Sequence, residues 1–234
     1  MSLVFCKKCC LDGTAKEITF DENGKCNFCR QAEKSLAEIE LEKPNLSKII
    51  EKIKKDGTGK DYDVLIGLSG GVDSSTCLHH TVRLGLRPLA FSVDNGWNLT
   101  EKADENIMKL VEGLKVPFFR YTIDLKKFKE LQAAFIKAGQ INIEIPTDHL
   151  IYATSYEMAA QYGITWIVSG GNVSEESVMP KSFGYEPRDL THIKAVYKWA
   201  TGKKLTGLPM CGLLKFNYYR WWKKIKVFYL LDYL

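Results

Sequence analysis

The sequence has few features that would place the protein in a membrane or outside the cell. No apolar run reaches the roughly 18 residues of a spanning helix, and the first residues lack the apolar stretch of a secretory signal. A cytoplasmic protein is therefore expected. Hydrophobic residues make up 45% and charged residues 26% of the 234 residues, which excludes an intrinsically disordered chain. A chain of this length buries a sizeable core without a disulfide framework.

The chain also lacks the two most familiar phosphate-binding motifs. There is no GxGxxG, so a dinucleotide site is not expected. No glycine-rich loop ends in lysine followed by serine or threonine, which excludes GxxxxGK[ST]. No period of 20–50 residues marks a solenoid.

Charge is distributed unevenly along the chain, whose net charge is +5. Residues 61–193 carry 12 basic and 17 acidic side chains, whereas residues 194–234 carry nine basic and one acidic. Enzymes that act on nucleic acids usually surround their site with positive charge. Because the central region is acidic, a nucleic acid is not the expected partner. No membrane partner is expected either.

The pattern of apolar residues divides the chain into four parts. Residues 1–30 carry paired cysteines, residues 31–60 form a helical linker in which Asn45 can cap a helix, residues 61–193 alternate strands with helices, and residues 194–234 form a basic, aromatic segment. Strands are predicted at 64–68, 89–93, 118–123 and 164–168, and Thr100 and Thr147 are predicted to open helices. Such alternation predicts an α/β fold with a doubly wound, Rossmann-like parallel sheet.

The segment SGGVDSS at 69–75 lies where the first predicted strand ends and a helix begins. The first turn of a helix has unpaired N–H groups and a positive dipole end, so it binds phosphate. Gly70 and Gly71 permit a sharp turn and a close approach to an anion. Asp73 suits a Mg²⁺ that accompanies phosphates, or a helix cap. The predicted phosphate-binding residues are Ser69, Gly70, Gly71, Val72, Asp73, Ser74 and Ser75, with Ser69 and Asp73 as the catalytic candidates.

The fourth predicted strand ends in a second Ser-Gly-Gly. In a doubly wound sheet the first and fourth strands flank the switch point where ligands bind, so both loops are expected to face one nucleotide. An ordinary helix-opening turn is the alternative for this second motif. The residues concerned are Ser169, Gly170, Gly171 and Asn172.

The cysteine pairs have the spacing CxxC-x16-CxxC, which is typical of a zinc ribbon with four thiolate ligands. Cys10 adjoins Cys9 and is an alternative ligand, although the CxxC spacing favours Cys9. Cys77 and Cys211 are expected to be core residues. The predicted ligands of a structural Zn²⁺ are Cys6, Cys9, Cys26 and Cys29.

The segment from residue 194 onward is rich in Trp, Tyr and Phe. One interpretation is a pair of core helices. The other is a surface for a partner chain or for further sequence of the same protein.

Residues 69–75 match the PP-loop of the ATP pyrophosphatases. Together with the cysteine pairs and Val-Asp-Asn-Gly-Trp at 93–97, the chain resembles one branch of that superfamily, the N-acetyl sugar amidotransferases of bacterial surface-polysaccharide and nonulosonic-acid synthesis. Chains of that family run on past the point where this one stops, so the resemblance leaves open whether these residues contain the whole acceptor-sugar site. The resemblance implies that Val93, Asp94 and Gly96, which on their own indicate only a turn, receive the adenine and ribose of ATP.

The resemblance also implies a reaction and partners. The acetamido oxygen of a sugar nucleotide or a nonulosonic acid would attack the α-phosphorus of ATP with Mg²⁺ present, and ammonia would then displace AMP. Since no glutaminase motif is visible, ammonia would come from a glutaminase subunit with a cyclase-like subunit. The alternatives are a tRNA-thiolating PP-loop enzyme and a non-catalytic nucleotide-binding subunit.

Overall fold

The predicted α/β fold with a doubly wound parallel sheet is confirmed. A computed structural model describes residues 3–97, 100–176, 178–180, 183–184 and 186–234. Five strands, all parallel to their neighbours, form one sheet in the order β3-β2-β1-β4-β5. The strands are β1 (Val64–Gly67), β2 (Pro88–Asp94), β3 (Phe118–Thr122), β4 (Trp166–Ser169) and β5 (Lys226–Tyr229).

Helices precede, separate and follow the strands. They are α1 (Asn27–Glu42), α2 (Leu46–Asp56), α3 (Val72–Arg83), α4 (Glu101–Leu114), α5 (Leu125–Lys137), α6 (Ile145–Gln161), α7 (Val173–Glu176), α8 (Leu190–Thr201) and α9 (Leu213–Asn217). A 3₁₀ turn, Lys43–Asn45, joins α1 to α2. A π-helical turn, Tyr218–Trp222, follows α9, and a 3₁₀ turn, Leu230–Tyr233, follows β5. Among the described residues, no helix combines the length and the apolar character needed to cross a membrane.

Hydrophobic side chains cover both faces of the sheet. Alternation along β1 sends Leu65 to a core shared with α5, α6 and α8, and sends Val64 and Ile66 to a second core shared with α2, α3 and α4. All three β1 side chains are fully buried. Burial on both faces explains why β1, β2 and β4 are largely apolar runs, whereas β3, at the sheet edge, is half-exposed and includes Arg120.

The fifth strand belongs to the tail, for which the sequence indicated helices or a partner surface. β5 pairs in register with β4, Trp166 opposite Lys226 and Ser169 opposite Tyr229. Only Phe228 of this strand is buried. The strand is short and largely exposed, and its apolar residues continue into Leu230 and Leu231 without a turn residue to end the run, so the sequence did not predict a strand here. The tail also has buried side chains in α8, so part of it belongs to the core.

The structure confirms one of the three predicted helix caps and differs from the prediction at the other two. The hydroxyl of Thr100 accepts a hydrogen bond from the Ala103 N–H at 3.1 Å and caps α4, as predicted. The Asn45 side chain makes no cap and instead donates to Glu42 Oε2. Thr147 lies inside α6, which begins two residues earlier with proline in its first turn. Pro is favoured there because its missing N–H would be unpaired in any case.

A buried carboxylate joins α2 to the starts of β1 and β2. Asp63 is 4% exposed and accepts from the Arg87 guanidinium and the Arg87 backbone N–H, at 2.7–3.1 Å. The same guanidinium donates to the carbonyl oxygens of Gly57 and Lys60. A Cβ at Gly57 would lie 2.1 Å from Asp63 Oδ1, so only glycine fits there. These contacts fix the point at which the linker enters the sheet.

Removing the Asp63 carboxylate is therefore expected to destabilise the fold. Asp63→Ala should lower the free energy of unfolding by about 2 kcal/mol, a value reduced because Arg87 is half-exposed and water replaces part of the interaction. Urea denaturation followed by circular dichroism measures the change. Asp61→Ala, at an exposed neighbouring carboxylate, is the matched control. Equal stability of the two variants would contradict this role.

Candidate functional site

A cleft opens at the carboxyl ends of the three central strands. Its volume is about 220 Å³, and both Ser-Gly-Gly loops contribute to its wall. In an open parallel sheet this edge is where ligands bind, because the loops after neighbouring strands separate there. The lining residues are Gly67, Leu68, Ser69, Ser74, Phe91, Ser92, Val93, Ile151, Ser155, Ile167, Val168, Ser169 and Gly170.

The first loop turns on Gly70, whose φ of +78° is in the left-handed region. A Cβ at this position would also lie 2.6 Å from the carbonyl oxygen of Ala103 in the first turn of α4. Glycine is needed here both for the backbone conformation and for the close approach of α4. The chain therefore leaves β1 and enters α3 in a single tight turn.

Serine hydroxyls organise the interior of this turn. The Gly71 N–H donates to Ser69 Oγ at 3.3 Å, and the Ser69 N–H donates to Ser74 Oγ at 3.2 Å. The two hydroxyls are 3.1 Å apart. They lie on the side of the loop that faces the cleft, so each can be redirected toward an anion.

Gly71 is the N-cap residue of α3, and it has no side chain to cap the helix. The first-turn N–H groups of α3 therefore have no side-chain cap and carry the positive end of the helix dipole. Asp73 is the acidic residue in this turn. The uncapped N–H groups suit a phosphate group, whereas Asp73 itself is not among the residues that line the cleft.

The second Ser-Gly-Gly repeats one hydrogen bond of the first, although Gly170, unlike Gly70, has no positive φ. The Gly171 N–H donates to Ser169 Oγ at 3.1 Å, as the Gly71 N–H does to Ser69 Oγ. A Cβ at Gly170 would lie 3.1 Å from the backbone nitrogen of Ser74. The two loops are thus in backbone contact, and they meet because β4 pairs directly with β1.

The residues predicted to bind ATP at the end of β2 lie in two different places. Val93 lines the cleft. Asp94 lies at the end of the strand, and its Oδ1 accepts from the Gly96 N–H at 2.9 Å in a turn beyond the cleft wall. Gly96 has a φ of +80°, which explains the glycine in Asp-Asn-Gly.

Other predicted residues lie at the margin of the cleft. Val72 and Ser75 line a separate shallow depression against α4, and the Ser75 hydroxyl donates to the Gly71 carbonyl oxygen at 2.7 Å. Asn172 precedes α7, whose first N–H donates to the Asp232 carboxylate at 2.8 Å. The tail therefore holds the second loop in place.

The cleft-lining residues that the sequence did not predict include Ser92, Ile151 and Ser155. Ser92 on β2 is 3% exposed, and among the described residues its hydroxyl has no hydrogen-bond partner. Its position as a polar residue within an apolar strand is the sequence feature that could have identified it. Ile151 and Ser155 come from α6, whose sequence indicated only a helix.

The four paired cysteines converge on one point. Their sulfur atoms all lie within 4.8 Å of one another, with Cys6–Cys29 at 3.9 Å and Cys9–Cys26 at 3.8 Å. Sulfurs that each lie about 2.3 Å from a tetrahedral zinc would be separated by roughly 3.8 Å. Cys10 is exposed and lies outside the cluster. The donor set and its spacing fit a structural Zn²⁺.

Backbone donors favour ionisation of one cluster thiol, Cys6, whereas burial raises the pKa values of Cys9 and Cys29. Burial opposes ionisation of Cys6, but backbone N–H groups, including those of Cys9, Lys8 and Cys26, lower its pKa to about 6. The N–H groups of Lys8 and Cys26 lie 3.4 and 3.3 Å from its sulfur. Cys26 is the N-cap of α1, and its sulfur accepts from the Cys29 N–H at 3.4 Å. The cluster therefore also fixes the start of α1.

The remaining buried cysteines are core residues, as predicted. Cys77 lies on α3 beneath the first loop, with its sulfur 3.5 Å from the Ser169 carbonyl oxygen. Burial raises the pKa of Cys77 to about 12 and that of Cys211 to about 11. Both are neutral thiols at pH 7.

Comparison with known proteins yields one curated relative at low identity. No protein-family model matches the chain. The 7-cyano-7-deazaguanine synthase of Saccharolobus solfataricus is 27% identical over 169 residues, which are 66% of this chain and 34% of that protein. The chain thus spans about a third of the length of the curated relative it matches.

Solved structures with partial similarity include two synthetases. The NH3-dependent NAD synthetase from Campylobacter jejuni has a TM-score of 0.42 and 17% identity, over 74% of this chain and 73% of that one. The glutamine-dependent NAD+ synthetase from Acinetobacter baumannii has a TM-score of 0.43 and 17% identity, over 82% and 38%. The sequence of the loop at 69–75, the position of that loop between β1 and α3, and the curated relative together fit the PP-loop ATP pyrophosphatase superfamily.

Proposed function

We propose that the protein is an ATP-dependent amidotransferase that activates the acetamido group of an N-acetyl sugar as an adenylate. One observation carries the proposal. Two Ser-Gly-Gly loops at the ends of adjacent strands meet in backbone contact at the N-terminus of α3. This arrangement presents hydroxyl and N–H donors around a single anion-sized space.

The first loop and the strand ends would bind different parts of ATP. The pyrophosphate portion of ATP would lie against Ser69, Ser74 and the first turn of α3, where donors are concentrated. The base would enter the cleft between β1 and β2, where the Ser92 hydroxyl is available as a hydrogen-bond partner. The α-phosphorus would then be placed at the mouth of the cleft, within reach of an acceptor.

The proposed chemistry has two steps. The acetamido oxygen attacks the α-phosphorus, an O–P bond forms, and pyrophosphate leaves with the electrons of the broken bond. Ammonia then adds to the activated carbon, AMP leaves with the former acetamido oxygen, and the product carries an acetamidino group. The loop donors stabilise the charge on the departing pyrophosphate and hold the reacting atoms in line. A bound Mg²⁺ would neutralise phosphate charge, and Asp73, the acidic residue in the first turn of α3, would hold it.

Cys77 supports amidation over tRNA thiolation. A sulfur-transfer enzyme needs a reactive thiolate beside its loop. Cys77, the thiol beneath the first loop, is fully buried, and burial raises its pKa to about 12. A thiol held neutral in this way is poorly suited to carry sulfur.

Ammonia would be delivered by a glutaminase subunit with a cyclase-like subunit. The proposed docking surface for this subunit consists of aromatic and leucine side chains around α9 and the π-helical turn. Their exposure supports this assignment. Leu214 is 87% exposed, Trp222 78%, Trp221 74% and Leu213 73%.

Variants of the first loop test the nucleotide site. Asp73→Asn and Ser69→Ala should each weaken ATP binding about tenfold without unfolding the protein, because each removes one charge-assisted contact from a partly exposed loop. Gly70→Ala should weaken binding further, since its Cβ would meet Ala103. Isothermal titration calorimetry with ATP and Mg²⁺ measures the affinities.

Gly59→Ala is the matched control for Gly70→Ala. Gly59 also has a positive φ, +76°, but nothing lies within 4 Å of a Cβ placed there. Gly59→Ala should leave ATP affinity unchanged. Its effect on the free energy of unfolding should be limited to the backbone strain of alanine at a positive φ. ATP affinity that is the same in all the loop variants and the wild type would place the nucleotide elsewhere.

The cysteine cluster is tested by metal analysis. The purified protein should contain about one Zn²⁺ per chain, because four thiolates complete a structural site. Cys26→Ser should lose the metal and destabilise the N-terminal unit, whereas Cys10→Ser should retain it. Metal-free protein that was never exposed to a chelator would be evidence against the site.

The reaction is tested by product analysis. The chain is incubated with ATP, Mg²⁺, ammonia and diacetamido sugar nucleotides, and the products are separated by mass spectrometry. AMP, pyrophosphate and a sugar product lighter by about one mass unit, the exchange of O for NH, should appear together and disappear in Asp73→Asn. Sulfur incorporation into tRNA without a sugar product would identify thiolation instead.

A further inference from the structure

A second cavity, here called the α5 cavity, lies between α5, the start of α6 and the turn after β2. Its volume is about 540 Å³, and pockets for small molecules usually measure about 300–1,000 Å³. Asn95 and Trp97 line it from the turn, and Thr147 lines it from α6. It shares no lining residue with the cleft between the two Ser-Gly-Gly loops, here called the nucleotide cleft. The α5 cavity is therefore a separate space with the volume of a small-molecule site.

Apolar side chains form one part of the lining of the α5 cavity. Ile136 lies on the face of α5 that also carries Lys129 and Ala133, and all three line the cavity. Ile136 is 64% exposed, and Trp97 on the opposite side is 61% exposed. Exposed apolar side chains that line one cavity favour a ligand with an apolar group, because its binding removes their surface from water.

Two side chains of opposite charge line the same cavity. Lys129 comes from α5, and Glu144 is the residue that precedes the first turn of α6. In the part of the chain that the structure describes, neither of them forms an ion pair, with each other or with another residue. The ammonium of Lys129 lies over the Trp97 ring, 5.0 Å from its centroid. The α5 cavity thus presents a cation and an anion that are both available to a ligand.

A second carboxylate increases the negative potential at the start of α6. Asp148 lies one turn after Glu144, and it too forms no ion pair among the described residues. Partial burial and the charge of Glu144 raise the pKa of Asp148 to about 6. A cation bound at Glu144 would relieve the repulsion between these two carboxylates.

A buried hydroxyl is the third polar group at the α5 cavity. Thr147 is 8% exposed, and its hydroxyl has no hydrogen-bond partner among the described residues. Buried hydroxyls in proteins normally have a partner, because an unpaired one has lost its hydrogen bonds to water. Since Thr147 lines the cavity, rotation about its Cα–Cβ bond can turn this hydroxyl toward a ligand.

We propose that the α5 cavity binds a free α-amino acid with an apolar side chain. The carboxylate of the ligand pairs with Lys129 and its ammonium pairs with Glu144, because charge-assisted hydrogen bonds are the strongest that these groups can form. The side chain of the ligand packs against Trp97 and Ile136. A ligand with only one sign of charge would leave either Lys129 or Glu144 without a partner, and this favours a zwitterion. The site does not depend on the proposed amidotransferase activity.

Binding of L-phenylalanine and L-leucine tests the assignment. Each is titrated by calorimetry into the whole chain, with and without a non-hydrolysable ATP analogue and Mg²⁺. At least one of them should bind, with the same affinity in both conditions, because the α5 cavity shares no residue with the nucleotide cleft. For L-phenylalanine, the matching compounds are 3-phenylpropionate, which lacks the ammonium, and phenethylamine, which lacks the carboxylate. For L-leucine they are 4-methylpentanoate and isoamylamine. Each should bind about tenfold more weakly than its amino acid.

Variants of the two charged residues assign each end of the ligand. Lys129→Gln and Glu144→Gln should each weaken binding of the amino acid about tenfold. Lys129→Gln should have no effect on the amine, which has no carboxylate to lose its partner. Glu144→Gln should likewise have no effect on the carboxylic acid that lacks the ammonium. This crossed pattern distinguishes two specific ion pairs from a general loss of the cavity.

Lys126→Gln is the matched control. Lys126 is an exposed lysine on α5, one turn before Lys129, and it does not line the cavity. Its replacement should change the affinity for the amino acid less than about twofold, since charge outside the cavity is screened. Circular dichroism confirms that each variant is folded.

Three results would overturn the proposal. The first is the absence of binding for both amino acids. The second is their displacement by the ATP analogue, which would make the α5 cavity part of the nucleotide site. The third is equal weakening by Lys126→Gln and Lys129→Gln, which would show that only the overall charge of α5 matters.

Discussion

The contact between two glycine loops at neighbouring strand ends is the constraint on which the site depends. Gly170 lies against the backbone at Asp73 and Ser74, where a Cβ would come within 3.2 Å. This spacing is possible only because β4 pairs directly with β1 and both strands run in the same direction. The cleft at the carboxyl ends of β2, β1 and β4 lies at this close approach, and α6 completes its lining.

Much of this arrangement could be predicted from local sequence patterns. Apolar runs identified β1, β2 and β4, which are buried on both faces, and the aromatic and β-branched residues at 118–123 identified β3, a half-exposed edge strand. The positions of Ser-Gly-Gly after the first and fourth of them predicted which loops would meet. The cysteine spacing predicted the cluster, because short CxxC turns leave few ways to bring four sulfurs together.

The rest depends on contacts between residues distant in the chain. β5 is a strand because it pairs with β4, some 60 residues earlier, and its own side chains are mostly exposed. Ser92 faces the cleft because of the register of β2 within the sheet. A cleft of about 1100 Å³ beside β5 is formed by α6, α9 and β5 together, and no single segment contains a motif for it. Hydrophobic periods of 2 or 3.6 residues indicate single strands and helices, but they do not show which of these elements come together.

The cysteine cluster has a mechanical consequence for the second loop. Cys26 and Cys29 hold the first turn of α1, Val178, just beyond α7, packs against the cysteine cluster, and α1 contacts both α7 and the 3₁₀ turn that follows β5. Those two elements continue directly from the strand ends that carry Ser169 and Tyr229, and they are joined by the Asp232 carboxylate. A continuous path of packed contacts therefore connects the cysteine cluster, through α1, to the two segments that follow the ends of β4 and β5 at the cleft.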